Sequence, residues 1–359
     1  MALCIDIERK LEDFAIELHI DTDCRRIGIL GASGSGKSMT LKMIAGIERP
    51  ARGIIQADGQ VLFDSSKGVN LRPQKRSVGY LFQNYALFPA MTVEQNIGAG
   101  LRGKKEDMRK RTGEMIERFG LTGLEKRFPG ELSGGQQQRT ALARIMAYEP
   151  KVILLDEPYA ALDMFLRDRL QQELLDMLKG YEGTVILVSH NRDEIYRFSE
   201  YLLVMERGKI KASGKSSDIF AKPGNITAAR LTGCKNISKV RVLDRHHMEA
   251  VDFGLMLHTQ REIPAGTEAI GFRAHEFVPV WGRRQENCLK VQIESLAELP
   301  FEKQYYLRAE NGGGQEKREP VCWFVQKDRW RELEEKGIPD YLKFKEEAIL
   351  FLDSMMSGL

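Results

Sequence analysis

The chain has 359 residues, enough for two or three domains with cores of their own. Its 54 basic and 51 acidic side chains leave a net charge of +3, a balance that gives no reason to expect nucleic acid or an anionic surface as partner. Five scattered cysteines (4, 24, 234, 288 and 322), never in a C-x-x-C pair, argue for a reducing compartment and against both a disulfide framework and a zinc site.

The first ten residues include Asp6, Glu8, Arg9 and Lys10, so no secretory leader is expected. No run approaches the ~18 apolar residues of a spanning helix, so a membrane role would need other chains to supply the passage. From Leu3 to Ile20, apolar and charged residues alternate loosely, which predicts an antiparallel hairpin with one wet face. Phe14 on that hairpin is a candidate to stack on an adenine, set against the commoner role of a strand aromatic as core.

The apolar run Ile27-Gly28-Ile29-Leu30 leads into Gly31-Ala32-Ser33-Gly34-Ser35-Gly36-Lys37-Ser38, a G-x-x-x-x-G-K-S sequence. Such a loop aims successive backbone N–H groups at phosphate oxygens, and a helix from Met39 to Ile47 adds the positive end of its dipole. Lys37 offers a mobile positive charge for the outer phosphates and Ser38 a hydroxyl for Mg²⁺. Residues 53–63 read as two short strands around Asp58-Gly59, and Val78 to Phe82 as a strand ending at Gln83.

Between Thr92 and Gly130 the chain turns charged and helical, with expected breaks at Gly103, Gly113, Gly120 and Gly123. We expect a helical subdomain of about residues 92–148 inserted into an α/β core. A loop and helix from Leu132 to Tyr148, a strand from Lys151 to Asp156, a helix from Leu162 to Tyr181 with a leucine stripe for packing, and a strand from Thr184 to Ser189 follow. Beyond about Gly233 come short β-like runs at 239–243, 254–258, 269–280, 289–293, 305–307, 322–325 and 349–352, predicting a small β-barrel or sandwich.

Two further stretches carry chemistry. Val152-Ile153-Leu154-Leu155-Asp156-Glu157 is an apolar strand ending in two acids, which places both carboxylates at the carboxyl edge of a parallel sheet. Asp156 is the candidate Mg²⁺ ligand and Glu157 the candidate general base for an attacking water. The second stretch, Leu132 to Arg139 with Ser133, Gly134, Gly135 and Gln136, is a Ser-Gly-Gly loop before a helix expected over Thr140–Tyr148, another anion-binding device. Two such devices on one chain make sense if they meet across a dimer.

Taken together, GASGSGKS, LSGGQQQR, ILLDEP, the Gln83 loop YLFQNYALFP, Ala161-Leu162-Asp163 and His190 in ILVSH resemble the nucleotide-binding subunit of an ABC transporter over residues 1–232. The resemblance implies an α/β P-loop NTPase with an antiparallel β subdomain and a helical subdomain. It implies a head-to-tail homodimer sandwiching two ATP molecules, each between one chain's cradle and Ser133, Gly134, Gly135 and Gln136 of the other. Gln83 would reach Mg²⁺ and the attacking water, His190 would hold the γ-phosphate, and Asp163 would sit at the dimer seam. Two transmembrane permease subunits are the implied partners, served by an external solute-binding protein, and the chain would lie peripherally on the cytoplasmic face of the membrane. Ala160, Ser189 and the segment Asp23–Arg26 depart from the family pattern without removing a reacting group.

Residues 233–359 resemble the oligomer-binding-like regulatory barrel that follows the cassette in importers of oxyanions, sugars and polyamines, with Gly271-Phe272-Arg273-Ala274-His275-Glu276 similar to its Gly-x-Arg-x-x-Glu strand. Within that group, residues 59–64, 71–76 and 78–80 look most like molybdate-importer ATPases. Molybdate is therefore the expected solute, with a sulfate, polyamine or sugar importer as the alternative. A soluble ABC ATPase of DNA repair or translation fits less well, since the chain has one cradle, one signature and no sustained heptads. A vestigial interaction module is opposed by the intact Lys37, Asp156, Glu157 and His190.

Overall fold

The computed structural model describes residues 3–160, 164–309 and 320–353. The chain divides into two compact units, residues 1–217 and 218–359.

The first unit is built on one sheet of eleven strands. Its antiparallel arm begins with β1 (Leu3–Lys10) and β2 (Ala15–Thr22), paired so that Ile5 faces Ile20 and Ile7 faces Leu18. The period-2 pattern puts Leu3, Ile5, Ile7, Ile16, Leu18 and Ile20 on one buried face. Each fully buried Ile or Leu contributes about 1.5–3 kcal/mol. Strand β3 (Arg26–Leu30) then enters the sheet centre, and α1 (Lys37–Ala45) packs Leu41, Met43 and Ile44 into the same core.

Strands β4 (Arg52–Ala57) and β5 (Gln60–Asp64) extend the arm as expected. Asp58 (φ 46°) and Gly59 (φ 76°) both adopt the left-handed conformation that a two-residue hairpin turn demands. After the short β6 (Val69–Asn70), β7 (Val78–Leu81) joins the far edge of the sheet.

Helices α2 (Val93–Gly98), α3 (Lys105–Arg118) and α4 (Gly134–Ala147) pack on one another, and α4 starts at Gly134 rather than at the expected Thr140 because Ser133 caps it there. Gly113 does not break α3. The buried stripe Thr112, Met115 and Ile116 carries the helix through, and Gly113 sits on its exposed face, where the penalty of a helical glycine is only about 1 kcal/mol. Strands β8 (Val152–Asp156) and β9 (Thr184–Ser189) are buried throughout, as their unbroken apolar runs require. Between them α5 spans Met164–Met177 and turns Leu170 and Leu174 inward; Ala161, Leu162 and Asp163 lie outside the described residues.

The unit ends with α6 (Arg192–Phe198) and the hairpin of β10 (Tyr201–Glu206) and β11 (Lys209–Lys215), which have no counterpart among the expected elements. That hairpin matters, because β10 pairs parallel with β3 and β11 pairs with β2, fusing the antiparallel arm to the parallel core β10-β3-β9-β8-β7.

The second unit contains two five-stranded antiparallel sheets around one core that includes Phe272, Phe277, Trp323, Leu342 and Phe344. The run expected as one strand over 269–280 is two, Ala269–Phe272 and Val278–Val280, in different sheets. The chain crosses between the sheets where Phe272 and Phe277 pack on each other with ring centroids 4.6 Å apart. A strand at 288–298 is longer than expected, and the strands His247–Ala250 and Tyr341–Lys343 and the helix Trp330–Lys336 have no expected counterpart.

Candidate functional site

Strands β3, β9 and β8 are neighbours running in the same direction, with Leu30 opposite Ser189 and Val188 opposite Asp156. Everything that follows them in sequence therefore emerges at one edge of the sheet: the Gly31–Gly36 loop, Asp156 with Glu157, and His190. Carboxyl edges of parallel strands are where ligands bind in such folds.

The loop from Gly31 to Gly36 admits little else than glycine at its ends. A Cβ on Gly31 would lie 2.5 Å from the Met205 carbonyl oxygen, and Gly36 sits at φ 102°. The loop is also held from outside, since the Gly208 N–H in the β10–β11 turn donates to the Ser35 carbonyl at 2.9 Å. A Cβ on Gly36 would lie 3.5 Å from the Phe14 ring, which puts that half-buried aromatic beside the loop. Ala32, Ser33 and Gly34 are exposed at the loop's tip.

Lys37, only 4% exposed, donates from Nζ to the carbonyls of Gly31 and Ala32, both at 2.9 Å, and lies 3.8 Å from Glu157 Oε1. Burial pulls its pKa down, against the opposing pull of Glu157 and Asp156. Ser38 Oγ donates to Asp156 Oδ1 at 2.7 Å, and the Tyr80 hydroxyl donates to Asp156 Oδ2 at 2.8 Å. Glu157 occupies the left-handed region at φ 45°, an uncommon place for a residue with a Cβ, and its N–H donates to the Val188 carbonyl at 3.0 Å. That turn swings its carboxylate away from Asp156 toward His190, whose Nδ1 stands 3.0 Å from Glu157 Oε2.

The remaining described candidates, Gln83 and Ser133 to Gln136, do not enter this set of contacts. Gln83 is exposed just beyond β7. The loop behind it is clamped to the helical layer: Arg144 on α4 donates to the carbonyls of Tyr85 (3.0 Å) and Ala86 (2.8 Å), and the fully buried Asn96 on α2 bonds both the N–H and the carbonyl of Phe88. Ser133 caps α4 in a reciprocal box with Gln136, accepting from its N–H at 3.3 Å and donating its own N–H to Gln136 Oε1 at 2.8 Å. Ser133 and Gly134 are exposed and Gly135 half-buried, so the opening of α4 faces outward. Asp163 lies outside the described residues.

Tyr80, Arg144 and Asn96 are the site-shaping residues that motif reading missed. Tyr80 reaches Asp156 only because β7 pairs parallel with β8, which places Tyr80 opposite Leu154. Its alternation in Val78-Gly79-Tyr80-Leu81 was visible, but the neighbouring strand was not.

Residues 16–160 match the family model described as ABC transporter. Over 76% of this chain and 79% of the other, the sequence is 36% identical to the sulfate/thiosulfate import ATP-binding protein CysA of Mesorhizobium japonicum. The chain belongs to the ABC transporter ATP-binding subunits. It is also 40% identical to the spermidine/putrescine import ATP-binding protein PotA of Clostridioides difficile, over 65% of this chain and 67% of that one. Among solved structures, cbiO1 of Clostridium perfringens, part of the ABC transporter complex cbiONQ, gives a TM-score of 0.54 at 27% identity, covering 62% of this chain and 90% of its own. The ATP-binding cassette MJ0796, in a dimeric post-hydrolysis state bound to ADP and Pi, gives 0.50 at 28% identity, covering 60% and 99%. This ABC ATP-binding subunit is an ATPase, and no helix among its described residues is long and apolar enough to cross a membrane.

Proposed function

We propose that this ABC subunit hydrolyses ATP to drive import through a pair of permease subunits, and that its solute is sulfate or thiosulfate. The observation that carries the hydrolytic part is the convergence of Lys37, Ser38, Asp156, Glu157 and His190 at one sheet edge. Backbone N–H groups of residues 33–38 and the start of α1 cradle the phosphates, Lys37 neutralises the outer ones, and Phe14 stacks on the base. Ser38 and Asp156 form a hard oxygen donor set 2.7 Å apart that fits Mg²⁺, whose charge when bound offsets that of the phosphates. Gln83, exposed just beyond β7, would supply a further oxygen donor to the same ion.

Glu157 takes a proton from the attacking water, whose oxygen bonds to the γ-phosphorus as the bond to ADP breaks. His190, held by Glu157, steadies the transferred phosphate. Ser133, Gly134, Gly135 and Gln136 serve the nucleotide of a second copy of the chain, and Asp163 lies at the seam. Support comes from the outward-facing opening of α4 and from the dimeric neighbour. Residues 1–232 form the catalytic part, residues 233–359 the regulatory part, and the chain docks peripherally on the cytoplasmic side of the membrane.

For the solute, the relatives shift the reading away from the expected molybdate. Their names give sulfate and thiosulfate, with spermidine and putrescine as the second reading. Vesicles carrying the subunit with its permease pair and binding protein should take up labelled sulfate or thiosulfate in an ATP-dependent way. Uptake of molybdate or spermidine without sulfate or thiosulfate would reject this solute and leave the hydrolytic assignment standing.

A further inference from the structure

We propose that Glu194 is a positioning residue for His190, acting through the two residues that flank the histidine. This rests on the role given to His190 above. His190 is itself more than half exposed, and its ring Nδ1 stands against Glu157 Oε2 at 3.0 Å. With so much of the ring in solvent, its direction depends strongly on the backbone of residues 189–191 that carries it.

That backbone is tied from below. Ser189 is 2% exposed and Glu194 5% exposed, and Ser189 Oγ donates to Glu194 Oε2 at 2.6 Å. The same Oγ accepts the N–H of Asn191 at 3.0 Å, so one hydroxyl bridges the residue before His190 to the residue after it. Asn191 Oδ1 accepts from the N–H groups of Asp193 and Glu194, closing the turn onto the start of α6. The far oxygen of Glu194 lies 3.6 Å from Arg167 Nε on α5. Burying a carboxylate is unfavourable unless its partners compensate, and here the partners are the groups that fix residues 189–191. With Glu194 gone, Ser189 keeps its bond to Asn191 but loses the acceptor that orients its hydroxyl, and His190 can tilt off Glu157.

The test is a double-mutant cycle on ATP turnover by the full-length chain, with Glu194→Ala, His190→Ala and the pair. Glu194→Ala should lower kcat about 10- to 100-fold, the size of effect a small misplacement of a reacting group produces, with KM for ATP within about twofold. In the His190→Ala background the second change should cost less than about twofold. Glu194→Gln, whose amide oxygen still accepts from Ser189, should recover most of the rate, and Ser189→Ala should repeat the loss if Glu194→Ala proves poorly folded. Histidine-selective NMR is the readout independent of turnover: Glu194→Ala should shift or broaden the His190 signals and leave those of His247 and His258 unmoved. Equal losses from Glu194→Ala in both backgrounds, or unchanged His190 signals, would overturn the positioning role. A His190→Ala protein with parental turnover would instead overturn the role of His190, while the NMR result still decides the link between Glu194 and the histidine.

Discussion

The cradle edge of the sheet and the opening of α4, the two places proposed to meet phosphate, differ in what this chain supplies. At the cradle, Lys37, Asp156 and Glu157 each find partners within the chain, and Lys37 and Asp156 are nearly buried. At the start of α4, Ser133 and Gly134 are exposed, and the bonds of Ser133 close on the helix's own first turn. A site that bonds to itself and looks outward can fold without any ligand, so its recognition work is separable from its stability. The cradle lacks that separation, because Lys37 and Asp156, the side chains proposed to face the phosphates and Mg²⁺, also make its internal bonds.

The contrast sets the size of the effects to expect. Glu157→Gln should cut ATP turnover by ~10²–10⁴ while Mg-ATP still binds, measured by steady-state hydrolysis beside equilibrium binding. Arg76→Leu should be the most damaging to stability. Its fully buried guanidinium donates to the carbonyls of Met43 and Ile44 at 2.8 Å, closing the C-terminal end of the cradle helix, and to Leu71 and Asn70. Burial pushes its pKa down to about 10, which still leaves it charged at neutral pH. Leaving those acceptors buried and unpaired should cost about 3 kcal/mol in denaturant unfolding.

Tyr80→Phe removes a hydrogen bond to a buried carboxylate and should cost about 1.5–3 kcal/mol, with weakened Mg-ATP binding as its second signature. Ser133→Ala should cost only about 1 kcal/mol, the loss of a cap, while reducing turnover far more than that stability change explains. The smallest effect is on pH dependence. Burial holds the Glu194 carboxyl above its ordinary value of 4.5. The folded chain therefore binds that proton more readily than the unfolded chain, and its contribution to stability is present at low pH and fades as pH rises through the folded pKa. Unfolding of Glu194→Gln compared with the parent from pH 4 to 8 should show the parent losing stability relative to the variant as pH increases.

What could be read without the structure were the contiguous motifs at residues 31–38, 133–136 and 152–157, whose proposed chemistry rests on local spacing. The hairpins at 3–22 and 52–64 were also legible, because period 2 and Asp58-Gly59 are local signals. The pieces that depend on which strands are neighbours were not. Tyr80 needs β7 beside β8, Arg144 needs α4 beside the Gln83 loop, and Arg76 needs the end of α1. Gly113 shows the reverse error, where a local helix breaker yields to a buried stripe. The 269–280 run shows that period alone cannot tell one strand from two in different sheets.

The central claim, that the opening of α4 serves the nucleotide of a second copy, is tested most directly by mixing two inactive full-length variants, Lys37→Ala and Ser133→Arg. Each alone lacks one half of both composite sites. A mixed dimer keeps one site with both halves intact. The account predicts that the mixture hydrolyses ATP although neither parent does, with activity rising and falling with the fraction of mixed dimers. Activity in the mixture no greater than the sum of the separate proteins, under conditions where mixed dimers form, would contradict it.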